Sequence, residues 1–196
     1  MNRTVRRKRT RAPDAGRLDK SAWVSCALEV LADRGIEGVR VEVLARQLKV
    51  TKGSFYWHFS DRPALLTAML EEWRRRATLG IIDRYESTHE PAPTRLARLL
   101  RLQFDAKHAE IGAEIELSVR LWGRHDARAG QVLQEIDELR LRYIRKLIEQ
   151  SGVTPDIARG RAVLAYCYMR VSRSLAGRNL DQDTIEMCER LLTAGG

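Results

Sequence analysis

Apolar residues recur at helical spacing along the chain, and no Gly-bounded run of Val and Ile indicates a strand. The pattern predicts a first helix at about residues 18–34, ended by Gly35, and two short helices at about 41–48 and 51–57. The fourth helix begins near Ser60 or Asp61 and continues to about residue 77.

A stretch that contains acidic residues and Pro, at 86–93, marks the next break. Five longer amphipathic segments follow, at about 94–108, 110–123, 127–150, 155–176 and 181–194. The sequence therefore predicts an all-α protein of about nine helices, with a small N-terminal domain followed by a larger helical one. The predicted boundaries are 1–16 for a basic arm, 17–62 for the small domain and 63–196 for the larger domain.

The second and third helices have the composition of a helix-turn-helix, whose two helices need small or apolar residues where they touch. Leu44, Ala45 and Phe55 supply these contacts, and a side chain larger than Ala45 would push the helices apart. Thr51 is a natural N-cap for the third helix, with a hydroxyl that can accept from a free backbone N–H. The outer side of that helix offers mostly polar and aromatic groups: Thr51, Lys52, Ser54, Tyr56, Trp57 and His58.

This segment resembles the N-terminal domain of the tetracycline-repressor (TetR) family of one-component regulators over roughly residues 18–70. The resemblance rests on Gly35, Leu44-Ala45, Val50-Thr51-Lys52-Gly53, Phe55-Tyr56-Trp57-His58-Phe59 and Leu65. Three positions depart from the family pattern: Lys49 replaces a common Gly, Arg40 a Thr and Arg62 a Lys. Lys49 must adopt a left-handed backbone conformation, at a cost of about 1–2 kcal/mol.

The resemblance implies that the third helix enters the major groove of double-stranded DNA. It assigns base-edge or close backbone contacts to Lys52, Gly53 and Ser54. Phosphate contacts are expected from Thr51, Tyr56, His58, Arg40 and Arg62. For Trp57 and Phe59 the alternative is packing under the fourth helix, which we favour for Phe59.

The chain has a formal net charge of +9, and residues 1–62 carry 14 Lys and Arg against 7 Asp and Glu. Arg6, Arg7, Lys8, Arg9 and Arg11 belong to a basic run with no acidic residue before Asp14. Such a run either orders on phosphate or in the minor groove, or is simply a solvated tail.

No apolar stretch is long enough to cross a bilayer, and the N-terminus lacks the apolar core of a signal peptide, so we expect a cytoplasmic protein.

Cys26, Cys167 and Cys188 are widely separated and are interpreted as reduced thiols, with a redox sensor as the alternative.

Two apolar stripes run along the predicted helix at 155–176, so both of its sides must be covered. The resemblance implies that the last two helices pair with their symmetry mates in a homodimer; a monomer packed around one core is the alternative. The residues expected at this interface are Ile157, Leu164, Tyr168, Val171, Leu175, Ile185, Cys188 and Leu192.

The resemblance also implies an effector cavity among the C-terminal helices. The candidate lining residues are Trp73, Phe104, His108, Trp122, Tyr143, Tyr166 and Met169, for which plain core packing is the alternative. His108 with Glu110 and Glu114 also suggests a metal site, although we favour an exposed helix end. The run Trp122–Asp126 resembles a structural turn found in one branch of the family.

These observations predict a ligand-responsive transcriptional regulator, most simply a repressor that binds a pseudo-palindromic operator as a dimer. A small hydrophobic effector of unknown identity would release it from DNA. The sequence shows no Gly-rich phosphate loop, metal-ligand spacing or nucleophile with a base, so neither an enzyme nor a cofactor is expected. An architectural protein that coats DNA without sequence choice is the first alternative, and an all-helical enzyme the second.

Overall fold

The computed structural model describes residues 19–104, 108–176 and 181–193, without the side chains of 108–110 and 172–176. The predicted basic arm with Arg6, Arg7, Lys8, Arg9 and Arg11, and the side chains of His108 and Leu175, lie outside the described part. The helical segments are α1 Lys20–Gly38, α2 Val41–Gln47, α3 Lys52–Phe55, α4 Arg62–Arg74, α5 Gly80–Glu86, α6 Ala92–Arg101, α7 His108–Gly123, α8 Ala127–Glu149, α9 Pro155–Ala176 and α10 Gln182–Thr193.

A single π-helical turn, Arg75–Leu79, joins α4 to α5 without a break. Counted as one rod, these three segments bring the described part of the chain to nine helices, and that part contains no strand, which confirms the predicted fold class. The rod runs further than the expected end near residue 77, because no proline interrupts the chain before Pro91. Its first turn contains Pro63 and is capped by Asp61, whose carboxylate accepts from Ala64 N at 2.8 Å.

The N-terminal helices form as their capping residues predict. Asp19 caps α1 by accepting from Ala22 N at 2.9 Å. Gly35 has φ 66° and ψ −175°, so the regular helix ends there and residues 36–38 form one further turn. Lys49 has φ 56°, which confirms the left-handed conformation expected where the family pattern has glycine.

The hydrophobic core of the N-terminal domain extends beyond the helix-turn-helix. Phe55 and Trp23 are fully buried, and their rings meet edge-to-face with centroids 5.4 Å apart. The same core includes Val119 and Trp122 near the end of α7 and Leu133 on α8. Helix α1 is therefore packed directly against α7 of the larger domain, and this core continues across the predicted boundary at residue 62.

The turn between α7 and α8 brings two glycines together. A Cβ on Gly123 would lie 2.4 Å from Leu133 Cδ1, and a Cβ on Gly130 would lie 3.0 Å from the Gly123 carbonyl oxygen. Asp126 caps α8 by accepting from Arg128 N at 2.9 Å. These contacts agree with the structural role expected for the run Trp122–Asp126.

A second core lies among α5, α6, α8 and α9. One of the two apolar stripes of α9 consists of small residues and faces this core. Its residues Ala158, Ala162 and Ala165 are all buried. Within the described residues, no helix is both long and apolar enough to cross a membrane.

Candidate functional site

Helix α3 and the turn after it present an open surface. We call Thr51, Lys52, Gly53, Ser54, Tyr56, Trp57 and His58 the reading surface. Trp57 is 79% exposed and Tyr56 63% exposed, whereas their neighbour Phe55 is fully buried. Large aromatic side chains left in water next to a well-packed core commonly mark an interaction site.

Trp57 and Phe59, which follow α3, differ in burial. Phe59 is buried and stacks on Phe55 with centroids 5.2 Å apart, which confirms the packing role favoured for it. Trp57 is not packed under α4, so the packing alternative for Trp57 is wrong. His58 is half-buried, and its backbone N–H donates to the Phe55 carbonyl at 2.9 Å.

Thr51 occupies the N-cap position of α3 in an extended conformation, but its side chain makes no capping hydrogen bond. The expected hydroxyl cap is therefore wrong. The first turn closes through the Thr51 carbonyl, which accepts from Ser54 N at 3.1 Å. Thr51 is an exposed residue, and its Oγ1 lies 3.7 Å from the place that a Cβ on Gly53 would occupy.

Lys52, on the reading surface, forms an ion pair with Glu42. Its Nζ donates to Oε1 of Glu42 on α2 at 2.7 Å, and this hydrogen bond lowers the pKa of the Glu42 carboxyl. Both side chains are more than half exposed, so the pair contributes little to stability. Helical periodicity does not predict this ion pair, because the two residues lie on different helices, ten positions apart.

The two arginines expected on phosphates make local backbone contacts. Arg40 Nε donates to the Glu37 carbonyl at 2.9 Å. Arg62 donates from Nε to the Val39 carbonyl at 2.7 Å and from Nη2 to the Ile36 carbonyl at 2.9 Å. Arg62 is thus an anchor between α4 and the α1–α2 connection, a role that the sequence analysis did not foresee. The phosphate contacts of Arg40 and Arg62 stay predictions and would need their remaining N–H groups.

A small cavity of about 40 Å³ lies beneath the π turn. Pockets that hold drug-sized ligands are usually about 300–1,000 Å³, so its walls must move before such a ligand fits. The lining residues come from four parts of the fold: Ala77, Thr78, Ile81 and Ile82; Leu99 and Leu102; Arg140, Tyr143 and Ile144; Tyr166, Met169 and Arg170.

Three of the seven residues expected to line a cavity, Tyr143, Tyr166 and Met169, do so. Trp122 instead belongs to the core shared with the helix-turn-helix, and Phe104 packs near Tyr168 with ring centroids 6.3 Å apart. Trp73 is also a core residue; the Arg140 guanidinium lies over its ring, 5.6 Å from the centroid. These three aromatic residues pack between helices. Sequence periodicity cannot distinguish such packing from the lining of a cavity.

A buried ionic network borders the cavity and was not predicted. Arg140 on α8 pairs with both oxygens of Glu116 on α7 at 3.0 Å. The same guanidinium donates to the Thr78 hydroxyl at 2.9 Å and the Ala77 carbonyl at 3.1 Å, both in the π turn. Arg140 therefore joins three helices beside the cavity. Its position four residues after Ile136 and four before Ile144, inside an apolar stripe, is the sequence signal that could have revealed it.

Two further arginines complete the network. Arg120 pairs with Asp137 at 2.7 Å and with Glu116 at 2.9 Å. Arg170 reaches Glu116 at 3.3 Å. The Tyr166 hydroxyl donates to Asp137 and accepts from Arg120 at 3.0 Å.

The pKa shifts in this network reflect burial and charge pairing. Burial alone would raise the pKa of the Glu116 carboxyl, but Arg140, Arg170 and Arg120 hold it below its ordinary value. Asp137 is affected in the same way by hydrogen bonds from Arg120 and Tyr166. Burial and the neighbouring charge of Arg140 lower the pKa of Arg170. Both carboxylates are therefore ionised at neutral pH.

The outer apolar stripe of α9 is exposed in the single chain, so this chain alone does not cover it. Ile157, Leu164 and Val171 all stand in solvent, and Leu164 is 63% exposed. Tyr168 and Leu192, also expected at a dimer interface, pack instead against the second core. On α10, Ile185 and Cys188 are half-buried, and Met187 and Leu191 are the exposed apolar residues.

Comparison with known proteins agrees with this geometry. The sequence profile of "Bacterial regulatory proteins, tetR family" matches residues 24–69, which contain α2, α3 and most of α1 and α4. Over 55 residues the chain is 42% identical to the tetracycline repressor protein class C of Escherichia coli. That alignment covers 28% of this chain and 25% of the repressor, so the sequence similarity is confined to the DNA-binding region.

Solved structures extend the likeness to the whole fold. A putative transcriptional regulator from Saccharomonospora viridis in complex with choline matches with a TM-score of 0.71 at 17% identity, covering 88% of this chain and 92% of that one. The regulator FadR of Bacillus subtilis in complex with stearoyl-CoA matches with a TM-score of 0.64 at 16% identity, covering 90% and 98%. The sequence match to the tetR family of bacterial regulatory proteins thus lies in residues 24–69, and the solved regulators share the fold of nearly nine-tenths of the chain.

Proposed function

We propose that the chain is a one-component repressor that binds a pseudo-palindromic operator as a homodimer and is released by a small effector with a substantial apolar part. The observation that carries this proposal is the reading surface, where Tyr56 and Trp57 stand in solvent beside Lys52 over a closed core. We expect the protein to act in the cytoplasm, where bacterial DNA lies.

DNA recognition would use α3 in the major groove. Lys52, Gly53 and Ser54 are the residues proposed to approach base edges, and Thr51, Tyr56 and His58 those proposed to hold phosphates. On binding, Lys52 would break its salt bridge with Glu42 and contact DNA, because a salt bridge this exposed is weak. The basic arm would add phosphate contacts, each of which steepens the salt dependence of binding by nearly one log–log unit.

Trp57 provides a direct test. Trp23, Trp73 and Trp122 are at most 5% exposed, whereas Trp57 is 79% exposed, so a change in tryptophan emission on adding DNA would report on the reading surface. We expect operator DNA to change the emission of the native protein and to leave that of Trp57→Phe nearly unchanged. The operator itself can be obtained by selecting bound fragments of genomic DNA.

Footprinting on the selected fragments separates the possible DNA-binding modes. A short protected palindrome supports a sequence-specific regulator, and continuous protection supports an architectural protein. Lys52→Ala and Tyr56→Ala should each weaken operator binding while the protein stays folded; Arg142→Ala, an exposed change on α8, is the control. Full operator affinity in both of the first two variants would refute the proposed role of α3.

A homodimer is needed because the two reading surfaces must enter major grooves about 34–36 Å apart on one face of DNA. The exposed apolar stripe of α9 and the exposed Leu191 of α10 are the proposed interface. A two-fold axis places the same stripe on both subunits, so one apolar patch would cover the other. In sedimentation experiments, Leu164→Glu should yield monomers, whereas Leu121→Glu, on the exposed side of α7, should stay dimeric.

Effector release would act through the continuous rod formed by α4, the π turn and α5. Arg62 fixes its first turn to the DNA-binding helices, and Thr78 and Ile81 border the cavity. Arg62 and Thr78 are 16 residue steps apart, a distance of about 24 Å at helical rise. A ligand that enlarges the cavity would displace the rod and thereby the reading surface. A preference of about 2.7 kcal/mol for the displaced state lowers operator affinity roughly a hundredfold.

A further inference from the structure

Among the residues whose side chains the structure describes, the ionic network beside the cavity carries one surplus positive charge. Arg120, Arg140 and Arg170 contribute three cations, and Glu116 and Asp137 contribute two carboxylates. The arrangement borders a cavity whose other walls are largely aliphatic. An uncompensated charge in such surroundings is costly, and an anion placed next to it would remove that cost.

Within the described residues, Arg170 is the arginine of the network that has a buried nitrogen without any acceptor. Arg140 donates from all three of its nitrogens, and Arg120 also donates from all three. Arg170 has a single ion pair, from Nη1 to Glu116 at 3.3 Å, and its buried Nε has no hydrogen-bond acceptor. Its guanidinium also lies over the Tyr166 ring, 5.4 Å from the centroid, on the wall of the cavity.

We infer that the effector is an amphipathic monoanion, with a carboxylate bound by Arg170 and an apolar chain lying along Ile81, Ile82, Leu99 and Leu102. The inference rests on the proposed function, because it names the ligand class of the same cavity. A cationic head would be repelled by the arginines, and a neutral ligand without an acceptor would leave the Arg170 Nε unpaired. One surplus charge matches a head group with one negative charge.

The position of the head group also gives the effector a route to DNA binding. Arg140 lines the cavity beside Arg170 and holds both Ala77 and Thr78 in the π turn. A carboxylate near these two arginines competes with Glu116 for their donors. Rearrangement of Arg140 would then act on the rod that carries the reading surface.

Calorimetric titration of the DNA-free protein tests the ligand class. The probes are octanoate, decanoate and dodecanoate, each compared with the alcohol and the trimethylammonium ion of the same chain length. We expect at least one carboxylate to bind about 10- to 100-fold more tightly than its alcohol, which is the usual effect of a charge-assisted hydrogen bond, and the ammonium ions to bind most weakly. Equal or tighter binding of the alcohol or the ammonium ion at every chain length would overturn the inference.

Two variants locate the head group. Arg170→Met keeps the length of the side chain without its charge and should abolish the preference for carboxylate over alcohol. Arg170→Lys keeps the charge and should retain the preference. Arg142→Met, an exposed change on α8, should behave as the native protein. A carboxylate preference that survives in a folded Arg170→Met variant would contradict the assignment to Arg170.

The outcome is separable from that of the proposed function. Carboxylate binding without any DNA affinity would refute the repressor and keep the ligand class. Operator binding with no carboxylate preference would refute the ligand class and keep the repressor. Addition of the tightest-binding carboxylate to the operator complex then measures release directly.

Discussion

The guanidinium of Arg62 donates to the Val39 carbonyl at 2.7 Å, so the first residue of α4 is fixed to the connection between α1 and α2. A second donation, from Nη2 to the Ile36 carbonyl, strengthens this anchor. The Arg62 contact and the shared core therefore both hold α4 against α1 and the α1–α2 connection.

Replacing Arg62 with Met should lower the free energy of unfolding by roughly 1–3 kcal/mol, because both carbonyls lose a charged donor. Operator affinity should fall as well. The salt dependence of binding distinguishes the two roles considered for this residue. An unchanged log–log slope indicates an anchor alone, whereas a slope shallower by about one indicates a lost phosphate contact. Arg34→Met, at an exposed position of α1, is the matched control.

Lys49 offers a simple gain in stability. Its φ of 56° is unfavourable for a residue with a Cβ, at a cost of about 1–2 kcal/mol. Lys49→Gly and Lys49→Ala remove the same charge, but only glycine relieves the strain. In urea unfolding we expect the Gly variant to be more stable than the Ala variant by about 1 kcal/mol. An Ala variant of equal or greater stability would contradict the strained turn.

Arg140 should be a major contributor to folding. Arg140→Met removes the two-pronged contact with Glu116 and leaves that carboxylate buried with weaker partners. Loss of one member of a buried pair typically costs about 3–5 kcal/mol. Chemical denaturation should show this loss for Arg140→Met and less than about 0.5 kcal/mol for Arg142→Met on the exposed side of α8. Similar stability of the two variants would show that the network contributes little.

The helices could be located from sequence because their signals are local. Capping by Asp19 and Asp61, proline in a first turn and the positive φ of Lys49 each depend on a few neighbouring residues. The helix-turn-helix was predicted for the same reason.

The ionic network could not be assembled from sequence, because Glu116 and Arg140 are 24 positions apart and meet only when α7 packs on α8. Charged residues on amphipathic helices are usually solvated, so helical periodicity offers no reason to pair these two in particular. The predictions for Trp122 and Tyr168, as a cavity residue and an interface residue, were wrong for a related reason. Periodicity shows that a side chain faces inward without showing which helix it meets.

The stability of the folded chain should depend on pH through Glu116. Its pKa in the folded protein lies below the ordinary value of about 4.3, so the unfolded chain binds a proton more readily. The stabilisation is therefore complete above the ordinary value and is lost as the pH falls through it towards the lower pKa of the folded state.

Unfolding measured between neutral and acidic pH checks this dependence. Glu116→Gln should be less stable at neutral pH and should lose stability less steeply below about pH 5 than the native protein. Glu138→Gln, at an exposed position on α8, should follow the native curve. Parallel curves for the native protein and Glu116→Gln would contradict a lowered pKa.

The core that Trp23 shares with Trp122 and Leu133 has a consequence for exchanging parts between such proteins. A graft of the first sixty residues onto a foreign C-terminal domain would expose apolar surface of α1 that α7 normally covers. A working chimaera must therefore carry matching side chains on both sides of the contact between α1 and α7.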